Sequence, residues 1–130
     1  MDRIRVAVNG YGVIGKRVAD AVRLQDDMTL AGVADIVDDY RLQVAARAGL
    51  PVHAATPQAD APMRAAGITV AGSLAELLAQ SDVVVDCTPA GNDMKAKYYD
   101  NVVGPRGFLA QGSEFGFGKP YARGVNDEAL

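Results

Sequence analysis

At 130 residues, 49% apolar and 22% charged, the chain has the size and composition of one folded domain and lies outside the disordered range. Its net charge of −3, with Lys and Arg scattered along the sequence, offers no basic face to nucleic acid or to an anionic membrane. No run of about eighteen apolar residues occurs, no signal-peptide core is present, and a single cysteine, Cys87, excludes an internal disulfide; the cytoplasm is the expected location.

Ile4-Arg5-Val6-Ala7-Val8 reads as a short strand that runs directly into Gly10-x-Gly12-x-x-Gly15. Val13, Ile14, Val18, Ala21 and Val22 then fall at helical spacing. Glycines so spaced permit a tight turn at Gly10, close approach of a pyrophosphate to backbone at Gly12, and close helix-on-strand packing at Gly15. The following helix aims its unpaired N–H groups and the positive end of its dipole at the phosphates. Binding there needs no cationic side chain, so Lys16 and Arg17 read as bystanders. Leu30 to Ala34 reads as a second buried strand, and it ends at Asp35, twenty residues after Gly15. An acidic residue there suits the ribose hydroxyls of a dinucleotide, against the plainer reading of a loop-starting or helix-capping Asp.

Asp38 or Asp39 can cap a helix running through Ala48, with Gly49 and Pro51 as stop signals. Pro51 to Ala55 reads as a third strand. Thr56 to Gly67, with two prolines and no clear period, reads as a connection with one helical turn before Ile68-Thr69-Val70. Ser73-Leu-Ala-Glu76 is a capping-box pattern opening a helix to about Gln80. Val83 to Val85 is a buried strand, Asp93 to Val102 a helix, and Phe108 to Ala110 a last strand. Asn126 to Leu130 reads as the start of a further helix, and a chain with such a signal at its end is expected to be part of a longer one.

Short, continuously apolar strands alternating with helices argue for an α/β fold, a doubly wound, mostly parallel, Rossmann-like sheet in a single domain. Ligands of such sheets bind outside the carboxyl ends of the strands. That places Gly10 to Gly15, Asp35, Thr88-Pro89 and Gln111-Gly112 along one edge, where they could share one cofactor. Residues 1–112 are expected to form the dinucleotide-binding domain and 113–130 a loop and connection toward a second lobe.

Several segments, Val8-Asn9-Gly10-Tyr11-Gly12-Val13-Ile14-Gly15-Lys16-Arg17-Val18-Ala19-Asp20, Gln25-Asp26-Asp27-Met28, Ala66-Gly67-Ile68-Thr69-Val70-Ala71-Gly72, Asp86-Cys87-Thr88-Pro89-Ala90-Gly91 and Gln111-Gly112-Ser113-Glu114, carry a joint signal. Together they resemble the archaeal-type (type II) phosphorylating glyceraldehyde-3-phosphate dehydrogenases, over this whole chain but less than half of a family protomer. The resemblance implies an NAD(P)-dependent aldehyde oxidation. In it a cysteine thiolate attacks the carbonyl, hydride passes to the cofactor, and phosphate releases the thioester as an acyl phosphate. The family's nucleophile lies in a Ser-Cys-Asn-Thr-Thr motif that this sequence lacks. No catalytic residue and no metal ligand is therefore expected here. The expected cofactor contacts are Gly10, Tyr11, Gly12, Val13, Ile14, Gly15, Asp35, Thr88, Pro89 and Gly112. The resemblance also implies a homo-oligomer for the full-length enzyme.

Many family members carry a basic or hydroxyl pair after the second strand, suited to the extra phosphate of NADP, where this chain has Asp35-Ile36. Two like charges about 4 Å apart repel by roughly 4 kcal/mol at an effective dielectric near 20, less where water reaches them, so NAD is expected over NADP. Ser113 stands where the family usually has a second glycine. Cys87 reads as structural, because its neighbours offer no His or cation to lower its pKa. His53 reads as a core or surface residue, and Asp82 and Asp86 as strand-end solvation or caps. Two alternatives remain at the level of sequence: a free-standing, non-enzymatic dinucleotide sensor, or the cofactor domain of an aspartate-semialdehyde or homoserine enzyme.

Overall fold

The computed structural model describes residues 2–111 and 116–130, with the backbone alone at 92–94. Gly112 and Ser113 therefore lie outside the described residues. Six strands, β1 (Ile4–Asn9), β2 (Met28–Asp35), β3 (Val52–Ala54), β4 (Val70–Ser73), β5 (Val83–Asp86) and β6 (Gly107–Ala110), form one sheet in the order β4-β3-β2-β1-β5-β6. Every pairing is parallel. Helices α1 (Val13–Arg23), α2 (Tyr40–Arg47), α3 (Pro57–Ala65), α4 (Leu74–Ala79) and α5 (Asn92–Asp100) connect the strands.

Successive residues of a strand face opposite sides of the sheet, and β1 shows what that does to the core. Val8 packs with Ala19, Leu42, Ala45, Ala59 and Met63 from α1, α2 and α3 on one face. Ala7 packs with Leu74, Leu77 and Leu78 of α4 and Tyr99 of α5 on the other. Both faces are covered, as a Rossmann-like doubly wound sheet requires. Strand order runs outward from β1 in one direction through β4 and then restarts beside β1 with β5, so the reversal falls between β1 and β5.

Local signals account for most of the ends. Asp39, not Asp38, caps α2 by accepting the Arg41 N–H, and Gly49 takes the left-handed conformation at φ 83° beyond the helix. The Ser73–Glu76 capping box is complete. The segment after β3 departs from the expected connection with one turn, because Pro57–Ala65 is a helix of 9 residues. Pro57 occupies the first position, where the missing N–H has no partner to lose. Pro62 sits inside, at the cost of one helical bond, and burial of Ala59 and Met63 offsets that loss. β4 begins at Val70, later than expected, since Ile68 is folded back onto α3 by its N–H to the Met63 carbonyl. Near residue 126 the expected helix start is a single 3₁₀ turn, Asp127–Ala129. There the Asn126 side chain reaches backward, accepting from the Ala122 N–H and donating to the Pro120 carbonyl.

Candidate functional site

β1 ends at Asn9, paired on one side with Ala34 and on the other with Asp86, and the chain turns at Gly10 into α1. Gly10 has φ 93°, and a Cβ there would sit 2.8 Å from the Cys87 carbonyl carbon and the Thr88 nitrogen. A side chain at Gly15 would overlap the Gly10 carbonyl oxygen. Gly12 differs: beyond its chain neighbours, the one described atom within 4 Å of its missing Cβ is Nη1 of Arg41, at 3.7 Å. Two glycines thus close the turn against the protein, and the middle one leaves a backbone surface open at the reversal of strand order.

Gly12 also precedes α1 without any side-chain cap, and the first turn carries no acidic residue. The opening N–H groups of α1 are left for a ligand to meet, beside the exposed side chains of Val13 and Ile14. The Tyr11 ring is buried in the core, where burial raises its pKa, and its N–H is given to Asp35. Lys16 is occupied by Asp20 one helical turn on, at 2.7 Å.

Asp35, at the end of β2, reaches this turn. Its Oδ2 accepts the Tyr11 N–H at 2.7 Å and its Oδ1 the Ile36 N–H at 2.7 Å. A carboxylate oxygen can accept more than one hydrogen bond, so both oxygens keep capacity for a hydroxyl donor. Thr88 follows β5 on the other flank, donating both N–H and Oγ1–H to Oδ1 of Asp86, at 2.9 and 2.6 Å. Pro89 follows within the same loop, exposed. The structure therefore brings Gly10 to Gly15, Asp35 and Thr88-Pro89 to one edge.

Other candidates lie apart from that edge or are inert within it. Asp82 is at the amino end of β5, fixed by Arg5, whose hydrogen bonds hold its pKa down at about 2. It forms no pair with Asp86, at the strand's opposite end. Cys87 packs against the core, where burial and the Asp86 charge push its thiol up to about 11, the reverse of an activated nucleophile. His53 is buried in β3, and burial lowers its pKa. Among the described residues no group of three or more His, Cys, Asp or Glu could hold a metal, and no helix is long and apolar enough to cross a membrane.

No family model matches the chain. Known proteins do: a glyceraldehyde-3-phosphate dehydrogenase of Pyrobaculum calidifontis is 45% identical over 113 residues, 85% of this chain and 32% of that protein. The Archaeoglobus fulgidus enzyme of the same name is 45% identical over 102 residues, 77% and 30% of the two chains. Glyceraldehyde-3-phosphate dehydrogenase 2 of Methanosarcina barkeri is 45% identical over 114 residues, 88% and 33%. The chain is homologous to archaeal glyceraldehyde-3-phosphate dehydrogenases. It spans about a third of the length of these relatives. The homologous region is their amino-terminal one, and the all-parallel sheet fits a dinucleotide-binding domain.

Sequence reasoning left three features of this dehydrogenase homologue unseen. Asp86, 2% exposed, anchors a polar cluster behind the turn: Lys95 pairs with it at 3.1 Å and the Tyr99 hydroxyl donates to it at 2.6 Å. Asn9 donates to that same hydroxyl at 3.0 Å, while its Oδ1 is buried without a hydrogen-bond partner among the described residues. An Asn ending an apolar strand is unusual for a sheet and was the available signal. The third feature is Arg41, whose position follows from how α2 packs and had no local sequence mark.

Proposed function

We propose that this chain is the NAD-binding part of a glyceraldehyde-3-phosphate dehydrogenase, binding cofactor without catalysing the reaction alone. The observation that carries the reading is the open backbone at Gly12, between two glycines that admit no side chain, at the point where strand order reverses. Residues 1–112 form the cofactor domain in this reading, and 113–130 belong to the connection onward. Homology to named dehydrogenases supports the assignment.

The residues present fit a dinucleotide. Gly12, with the backbone of Val13 and Ile14, holds the pyrophosphate through N–H groups and the helix dipole, while Gly10, Tyr11 and Gly15 shape the turn beneath it, the Gly10 and Tyr11 N–H groups being given to Ala34 and Asp35. Asp35 accepts the adenosine ribose hydroxyls and disfavours a 2′-phosphate. Thr88, Pro89 and Gly112 extend the site toward the nicotinamide. When bound, the cofactor supplies a hydride acceptor for oxidation of D-glyceraldehyde 3-phosphate, with phosphate, to the acyl phosphate. The complete enzyme is a cytoplasmic homo-oligomer in this reading.

Calorimetric titration of the chain tests it. NAD binds about tenfold to a thousandfold tighter than NADP, the range left once solvent weakens a repulsion of a few kcal/mol. A chain that takes up neither nucleotide defeats the assignment, and equal affinity defeats the preference for NAD.

A further inference from the structure

We propose that Arg41 grips the pyrophosphate of the bound dinucleotide, and that Asp39 holds it in position to do so. The inference rests on the dinucleotide reading of the glycine turn. That turn offers a doubly charged pyrophosphate only N–H groups and a helix dipole. The two lysines nearest the turn are tied to carboxylates, Lys16 to Asp20 and Lys95 to Asp86. Arg41 comes from another element, the first turn of α2.

The guanidinium divides its nitrogens. Nε and Nη2 both donate to Oδ2 of Asp39, at 3.0 and 2.6 Å. Nη1 makes no hydrogen bond within the described residues, and it is the nitrogen 3.7 Å from the absent Cβ of Gly12. A phosphate laid on the Gly12 backbone enters the space that Nη1 borders. Because the guanidinium is a rigid plane, two bonds to Asp39 fix where the third nitrogen points, and little rotamer freedom remains to be lost on binding. Asp39 is itself immobilised as the α2 cap, accepting the Arg41 N–H at 3.0 Å.

Two parts of a dinucleotide could receive this cation, the pyrophosphate shared by NAD and NADP or the 2′-phosphate of NADP alone. Approach to Gly12, the glycine that leaves backbone open, favours the pyrophosphate. Asp35 and Arg41 then read adjoining parts of one ligand with opposite charge, hydroxyls by the carboxylate and phosphates by the guanidinium.

The test is calorimetric titration of wild type, Arg41→Gln and Arg41→Lys with NAD and with NADP, alongside thermal melts. Arg41→Gln should weaken both nucleotides by a similar factor, on the order of tenfold, as expected for loss of a hydrogen bond to a charged group. Arg41→Lys keeps the charge and should lose less, and both variants should melt near the wild-type temperature, since the side chain is 37% exposed. Unchanged affinity for both nucleotides in Arg41→Gln overturns the proposal. Loss confined to NADP overturns it too, making Arg41 a reader of the 2′-phosphate. Failure of the wild type to bind either nucleotide is a different result and removes the dinucleotide reading itself.

Discussion

Asp35 and Tyr11, 24 residues apart, are joined by a 2.7 Å hydrogen bond from the Tyr11 N–H to the Asp35 carboxylate. The tip of β2 is thereby tied to the glycine turn, and the group read as a ribose acceptor also shapes that turn. Asp35→Asn keeps an acceptor for Tyr11 and removes the charge. NAD affinity is expected to fall and NADP affinity to rise, closing most of the gap between them, with a melting temperature little changed. Titration of both nucleotides against the variant checks this, and an intact preference for NAD would assign selectivity elsewhere.

Gly12 and Gly15 should separate binding from folding. Gly15→Ala drives a methyl into the Gly10 carbonyl, and overpacking of that kind costs about 1–3 kcal/mol. Gly12→Ala meets nothing closer than Arg41 and should leave stability within about 0.5 kcal/mol of wild type. It puts a methyl where ligand backbone contact is expected, so nucleotide binding should collapse. Urea unfolding and calorimetry on the two variants distinguish the effects.

Tyr99→Phe removes a buried hydroxyl that satisfies two others. Asn9 Nδ2 loses its acceptor and Asp86 Oδ2 a donor, and stranding buried polar atoms costs about 1–3 kcal/mol. The ring's contact with Phe108, centroids 4.9 Å apart, is retained, so the loss reports on the hydroxyl. Denaturant midpoints measure it. A double-mutant cycle with Asp86→Asn should show strong coupling.

His53 gives the fold a pH dependence. Burial holds its pKa below the ordinary 6.5, outweighing the nearby backbone and Glu76, which favour the charged form. Below pH 6.5 the unfolded chain binds a proton that the folded chain resists. Stability is full above that pH and is lost as pH falls toward the depressed folded value. Denaturation midpoints between about pH 8 and pH 5 should decline at the acid end, and His53→Gln should flatten that part of the profile.

What could be read from the sequence was what is encoded within a few residues. The glycine spacing, the Ser73–Glu76 box and the apolar strands each state a local backbone requirement, and from them follow the order of elements and the gathering of Gly10 to Gly15, Asp35 and Thr88 at the carboxyl ends of the strands. Helix α3 escaped because Pro62, inside it, is a local signal against a helix. The burial of Ala59 and Met63 that favours it exists only once β3 and β4 are in place. Arg41 escaped for a related reason. Its relation to Gly12 spans 29 positions and depends on how α2 lies beside the turn. The Asp86, Tyr99 and Asn9 cluster likewise joins β5, α5 and β1, which no spacing rule connects.

Asn9 lies in the interior of the sheet, with neighbours on both sides: the Gly10 N–H donates to the Ala34 carbonyl and the Cys87 N–H to the Asn9 carbonyl, each at 2.7 Å. The glycine turn thereby springs from a central strand hydrogen-bonded on both sides. A ligand seated there finds its donors already placed and has little chain entropy to remove. Added nucleotide should therefore raise the melting temperature as simple mass action prescribes, growing with the logarithm of ligand concentration, with no prior ordering step of the turn.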